Sequence, residues 1–107
     1  MKSKIRTFEE AVQIVSEEAN ELLIKKHKDY GTRNILNTPF GAEIGILIRL
    51  HDKISRLANL LKEGKEPNFE SIEDSWKDIR NYGQIALLVR KKLFELPLKN
   101  EKERNKD

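Results

Sequence analysis

Carboxylates and cations recur at helical spacing in this chain, which has no cysteine. Disulfides, thiolate metal sites and cysteine nucleophiles are therefore excluded together, leaving carboxylate, histidine or hydroxyl to do any chemistry. Glu17, Glu18 and Glu21 form an E-E-x-x-E run in which Glu18 and Glu21 are neighbours on one helix surface. Like charges so placed repel, and a bound cation relieves them; the same spacing also fits a solvated face, with Lys25 four residues past Glu21. Arg49, Asp52, Arg56 and Asn59 lie at i, i+3, i+7 and i+10, bordered by Lys53. Guanidinium groups match phosphate oxygens, so Arg49, Lys53 and Arg56 suit a polyphosphate, while a salt-bridge ladder through Asp52 is the plain alternative.

Asp74 and Asp78 stand one turn apart on a stripe that continues into Ile85 and Val89. Carboxylates aimed into a helical bundle are costly unless they are paired or bind metal. Asp74 also fits as the capping partner of Ser71, and Asp78 as half of a buried salt bridge to Arg49 or Arg56. Mg²⁺ takes hard oxygen ligands and bridges them to substrate phosphates, so it is the ion these residues suit. His51 falls on an apolar face and reads as a core histidine, whereas His27 sits beside a turn within reach of a ligand. Of the aromatic residues, Trp76 follows the core period, Tyr82 can stack, and Tyr30 is the better base-binding candidate.

These residues need helices to position them. Thr7 and Glu10 make a capping box, and Phe8, Ala11, Val12, Val15, Ala19, Leu22 and Leu23 recur at helical spacing, which predicts a first helix from residue 8 to about 28. Thr32 to Phe40, with Asn34, Asn37 and Pro39, has turn chemistry and reads as an ordered loop. A second helix is expected from about Gly41 to Glu63, with Ile44, Leu47, His51, Ile54, Ala58 and Leu61 on its buried face, Gly64 as its left-handed stop and Pro67 beyond. Ser71 and Asp74 open a third helix reaching about Glu95, before Pro97. The continuous run Ile85, Ala86, Leu87, Leu88, Val89 implies burial nearly all round, so this helix should be central.

The expected fold is all-α: a small bundle of three main helices plus an ordered loop, completed by oligomerisation. Residues 1–98 form the single helical domain, and Lys99 to Asp107, with no apolar residue, a disordered charged tail. The 107 residues carry 21 Lys plus Arg against 18 Asp plus Glu, a dense mixture and not a basic block, which argues against general nucleic-acid binding. No apolar run approaches a membrane span and no signal-peptide core follows Met1 to Arg6, so the expected location is the cytoplasm. Glycine-rich phosphate loops, nucleophile elbows and C-x-x-C pairs are absent, which removes support for kinase, serine-hydrolase and zinc-ribbon chemistry.

Lys28-Asp29-Tyr30-Gly31, Arg49, Asp52-Lys53, Arg56-Leu57, Glu73-Asp74, Asp78 and Tyr82, in that order, resemble the small phage and bacterial nucleotide-modification-associated domains, over residues from about 20 to 90. The Glu17-Glu18-x-x-Glu21 run is similar to the first motif of MazG-like all-α nucleoside triphosphate pyrophosphatases, whose second motif, E-x-x-D, is approached but not matched around Glu70 to Asp78. The resemblance implies a Mg²⁺-dependent pyrophosphohydrolase in which Glu18, Glu21, Asp74 and Asp78 hold the metal, with Glu18 and Glu21 as the catalytic carboxylates. Arg49, Lys53 and Arg56 would then hold phosphates, and Tyr30 and His27 the base. The alternative is a non-catalytic protein of phage type that binds or sequesters nucleotides, and either would be a homodimer or higher oligomer.

Overall fold

The computed structural model describes residues 4–64 and 72–99, which contain four α-helices and no strand. Helix α1 (Phe8–Tyr30) begins where Thr7 and Glu10 cap each other: the Glu10 amide donates to Thr7 Oγ1 at 3.1 Å, and Glu10 Oε1 accepts from the Thr7 amide at 3.1 Å. Gly31, at φ 69°, closes it by donating to the His27 carbonyl at 2.8 Å. The segment expected as an ordered loop contains a short helix, α2 (Arg33–Leu36), and then turns at Phe40 and Gly41, both with positive φ. Helix α3 (Ala42–Glu63) ends as expected at Gly64 in the left-handed conformation.

Helix α4 (Ile72–Arg90) stops earlier than the expected Glu95. Its end is a Schellman turn: the Leu93 amide donates to the Leu88 carbonyl at 2.9 Å and the Lys92 amide to the Val89 carbonyl at 3.1 Å, with Lys92 at φ 61°. That position usually belongs to glycine, so a lysine there hides the stop from a sequence reading. The reversal returns Phe94 to the core, where it is buried with Ile35 and Ile46. The expected Ser71 cap, the Pro67 break and positions 100–107 of the expected tail lie outside the described residues.

Helix α4 packs against both α3 and α1, and α2 rests on α3, so α4 is the central helix. Its Ile85–Val89 run is not buried all round, however: Ile85, Ala86, Leu88 and Val89 are half-buried and Leu87 is exposed. The buried face of α3 also differs from expectation. Ile46 and Leu57 are buried and Leu50 packs against the core, whereas Ile44, Leu47, His51, Ile54, Ala58 and Leu61 are all exposed. Helix α3 has two apolar faces, and the inward one is Ile46, Leu50 and Leu57, at i, i+4 and i+11, with Lys53 falling between them at i+7. His51 is therefore a surface residue and not a core histidine. Trp76 is likewise exposed, bordering an apolar groove with Val12 and Val15 of α1.

Candidate functional site: a cationic pocket between three helices

One charged residue interrupts the inward stripe of each long helix. On α1, Ala19 and Leu23 are followed at i+7 and i+11 from Ala19 by Lys26 and Tyr30; on α3, Lys53 lies between Leu50 and Leu57; on α4, Asp78 follows Ser75 and precedes Tyr82. Where the helices meet, the three charges converge. Lys26 Nζ donates to Asp78 Oδ1 at 2.9 Å and Oδ2 at 3.1 Å, and Lys53 Nζ lies 3.1 Å from Oδ2. The Asp78 side chain is 7% exposed, while those of Lys26 and Lys53 are 43% and 19% exposed. Burial alone would push the Asp78 carboxyl up, but hydrogen bonds and charge from the two lysines outweigh it and hold the group below its ordinary value of 3.8.

This ion cluster lines a cavity of about 220 Å³, together with His27, Tyr30, Arg49 and Tyr82. Arg49 is held from the α2 segment: its Nη2 donates to the Asn34 carbonyl at 2.8 Å, and the same carbonyl accepts from Thr38 Oγ1 at 3.0 Å. Its other terminal nitrogen, Nη1, is buried with no hydrogen-bond partner. A buried N–H group without an acceptor costs about 1–3 kcal/mol and calls for a bound ion, water or ligand. In the same lining the His27 ring meets Phe94 edge to face, with centroids 5.3 Å apart and planes at 68°. Asn81 braces α4 on α1: its Nδ2 donates to the Ala19 carbonyl at 2.9 Å and its Oδ1 accepts from Arg80 Nη1 at 2.9 Å.

The residues singled out from the sequence are thus divided. His27, Tyr30, Arg49, Lys53 and Asp78 share this cavity. Arg56 does not; it borders a shallow depression on another face of α3 with Ser55, Asn59 and Lys62. The four carboxylates expected around Mg²⁺ are not gathered. Glu18 and Asp74 approach Lys77 Nζ at 3.9 and 4.0 Å, and Glu21 is exposed. Asp78 pairs with Lys26 and Lys53 instead of Arg49 or Arg56. Among the described residues no group of three or more His, Asp or Glu is placed to hold a metal ion. Among the described residues Asp78 is the only carboxylate lining the cavity, and both its oxygens face ammonium groups, so this donor set does not fit a Mg²⁺ site.

Lys26, Phe94 and the Asn34 carbonyl escaped the sequence reading. Lys26 had a usable signal, since a lysine seven residues after Ala19 continues an apolar stripe and marks an inward charge. Phe94 had none, because the turn that returns it carries no glycine. Compared with known proteins, the chain matches no family model, no curated protein and no solved structure. No helix among the described residues is long and apolar enough to cross a membrane.

Proposed function

We propose that the protein binds a nucleotide, with the phosphate held by Arg49, Lys26 and Lys53 and the base set against Tyr30 and Tyr82. The observation that carries this reading is Arg49 Nη1, a buried guanidinium nitrogen without an acceptor in a cavity lined by two lysines. A phosphate oxygen is the acceptor that guanidinium geometry and the surrounding charge both favour. The aromatic walls suit a planar group, as small-molecule pockets combine apolar surface with a few converging polar groups. Among the roles implied by the resemblance to nucleotide-modification-associated domains, binding or sequestering needs only these residues. Hydrolysis of the MazG type would need Glu18, Glu21, Asp74 and Asp78 around a metal, an arrangement absent from the described residues. A nucleotide ligand would also place the protein in the cytoplasm.

The test is calorimetric titration with a panel of nucleosides and nucleotides, followed by chromatography of the recovered ligand. Nucleotides should bind and return intact, and Arg49→Lys should weaken binding by about tenfold or more, because a lysine cannot reach both the Asn34 carbonyl and the ligand. Pyrophosphate in the recovered material would favour the hydrolase reading. Self-association belongs to the same proposal, supported by the exposed apolar faces of α1 and α3.

A further inference from the structure

We infer that the groove between α1 and α4 is a docking site for an amphipathic helix of a partner protein, one that carries a carboxylate at one end of its apolar stripe. Among the described residues the polar links between the two helices start at Glu18: Lys77 reaches toward that carboxylate, Arg80 binds the Asn20 side chain and Asn81 the Ala19 carbonyl. Over the roughly three turns before them, Phe8, Val12 and Val15 extend the apolar stripe of Ala19 at spacings of four and three. All three remain exposed, Phe8 at 79%, and Trp76 of α4, also exposed, borders the same space of about 420 Å³. A continuous exposed apolar surface marks an interaction site. Anchors at i, i+4 and i+7 along one wall match the way a groove receives a helix. A single acyl chain, narrower than a helix, would leave more of Phe8 and Trp76 in water.

The cations beside the groove set the chemistry of the partner. Lys77 and Arg80 stand one turn apart on α4, near Ala19 of α1. Lys77 Nζ lies 3.9 Å from Glu18 and 4.0 Å from Asp74, so carboxylates of the chain already offset its charge. Arg80 is different. Its Nη1 donates to Asn20 Oδ1 at 2.8 Å and to Asn81 Oδ1 at 2.9 Å, both neutral, and no carboxylate among the described residues pairs with it. Neutral acceptors orient a guanidinium without cancelling its charge, and a carboxylate is the group that best completes its donor fork. A helix with Asp or Glu at the Arg80 end is therefore favoured, and a basic one is repelled. That cation also separates this groove from the exposed face of α3, where Ile44, Leu47, Ile54 and Leu61 suit a like apolar surface.

Trp76 is the single tryptophan of the chain, so its fluorescence reports on the groove directly. The test is titration of the whole chain with two synthetic helical peptides, each with leucine at alternating third and fourth positions, one flanked at one end by glutamates and the other by lysines in their place. The glutamate peptide should shift Trp76 emission to the blue, bind about tenfold or more tightly than the lysine peptide, and lose that advantage as salt is added. Arg80→Gln should weaken the glutamate peptide by about tenfold and leave the lysine peptide unchanged. Because Arg80 also braces α1, Phe8→Ser at an exposed position is the second variant, and it should weaken the glutamate peptide with the helical circular dichroism unchanged. Equal affinity for the two peptides, or no change in emission with either, would overturn the inference. So would emission of the protein alone that moves to the red on dilution, which would give the groove to a second copy, or decanoate binding more tightly than the glutamate peptide, which would give it to a lone amphiphile.

Discussion

At Asp78 two opposing effects meet. Desolvation disfavours its charge, and two ammonium groups restore it. Replacing Asp78 by Asn keeps the shape but leaves Lys26 and Lys53 facing a neutral amide. Removing one partner of a fully buried pair costs about 3–5 kcal/mol; here both lysines reach solvent, so a loss of about 1–3 kcal/mol is expected at pH 7. The sign of the pH dependence follows from the depressed folded value. The contribution is fully present above the unfolded pKa, near pH 4, and is lost as pH falls through the lower folded one. Wild type should therefore lose stability more steeply than Asp78→Asn in acid, and in urea titrations the gap between them should begin to close below the unfolded pKa and vanish only below the depressed folded one. Equal stability at pH 7 would show that the clamp contributes nothing. From the sequence, Asp78 was readable as an inward charge because its position on the stripe of α4 is periodic. Its partners were not, because Lys26 and Lys53 come from other helices whose rotation depends on packing.

Element ends and close approaches decide how the helices present these residues. Gly45 lies where α3 meets the α2 segment: a Cβ there would fall 2.4 Å from Thr38 Cγ2 and 2.8 Å from Thr38 Cβ. Alanine gains about 1 kcal/mol of helix propensity but must push the segment away, and overpacking of this kind costs about 1–3 kcal/mol. The Thr38 Cβ is tied to the backbone and cannot rotate aside. Gly45→Ala should thus destabilise by about 1 kcal/mol and loosen the Arg49–Asn34 link, lowering both the melting temperature and ligand affinity. An unchanged melting temperature would mean that the segment shifts freely. At the Schellman turn of α4 the opposite change is expected. Lys92→Gly relieves a left-handed lysine and should raise stability by about 0.5 kcal/mol, seen as a higher urea midpoint with an unchanged slope. The starts and stops of α1 and α3 were legible because Thr7, Glu10, Gly31 and Gly64 signal them locally. The end of α4 and the choice between the two apolar faces of α3 were not, since a turn without glycine carries no mark and both faces have helical period.

For the molecule as a whole, the outward face of α3 is the surface on which the proposed self-association would rest. Ile44, Leu47, His51, Ile54, Ala58 and Leu61 alternate spacings of three and four, the pattern of a two-helix seam, and all are exposed. Sedimentation at micromolar concentration should show a dimer, and Leu47→Glu combined with Ile54→Glu should give a helical monomer. A monomeric wild-type chain would remove this face as an interface. The floor of the pocket has a different consequence, one for descent. Arg49 and Thr38 are both anchored on the Asn34 carbonyl, which belongs to the main chain. Any residue that keeps the α2 backbone supplies that oxygen, so the anchor itself does not require an asparagine at position 34. Relatives could then share this floor without sharing an asparagine, and an ancestry written in backbone atoms leaves little for an alignment of side chains to find.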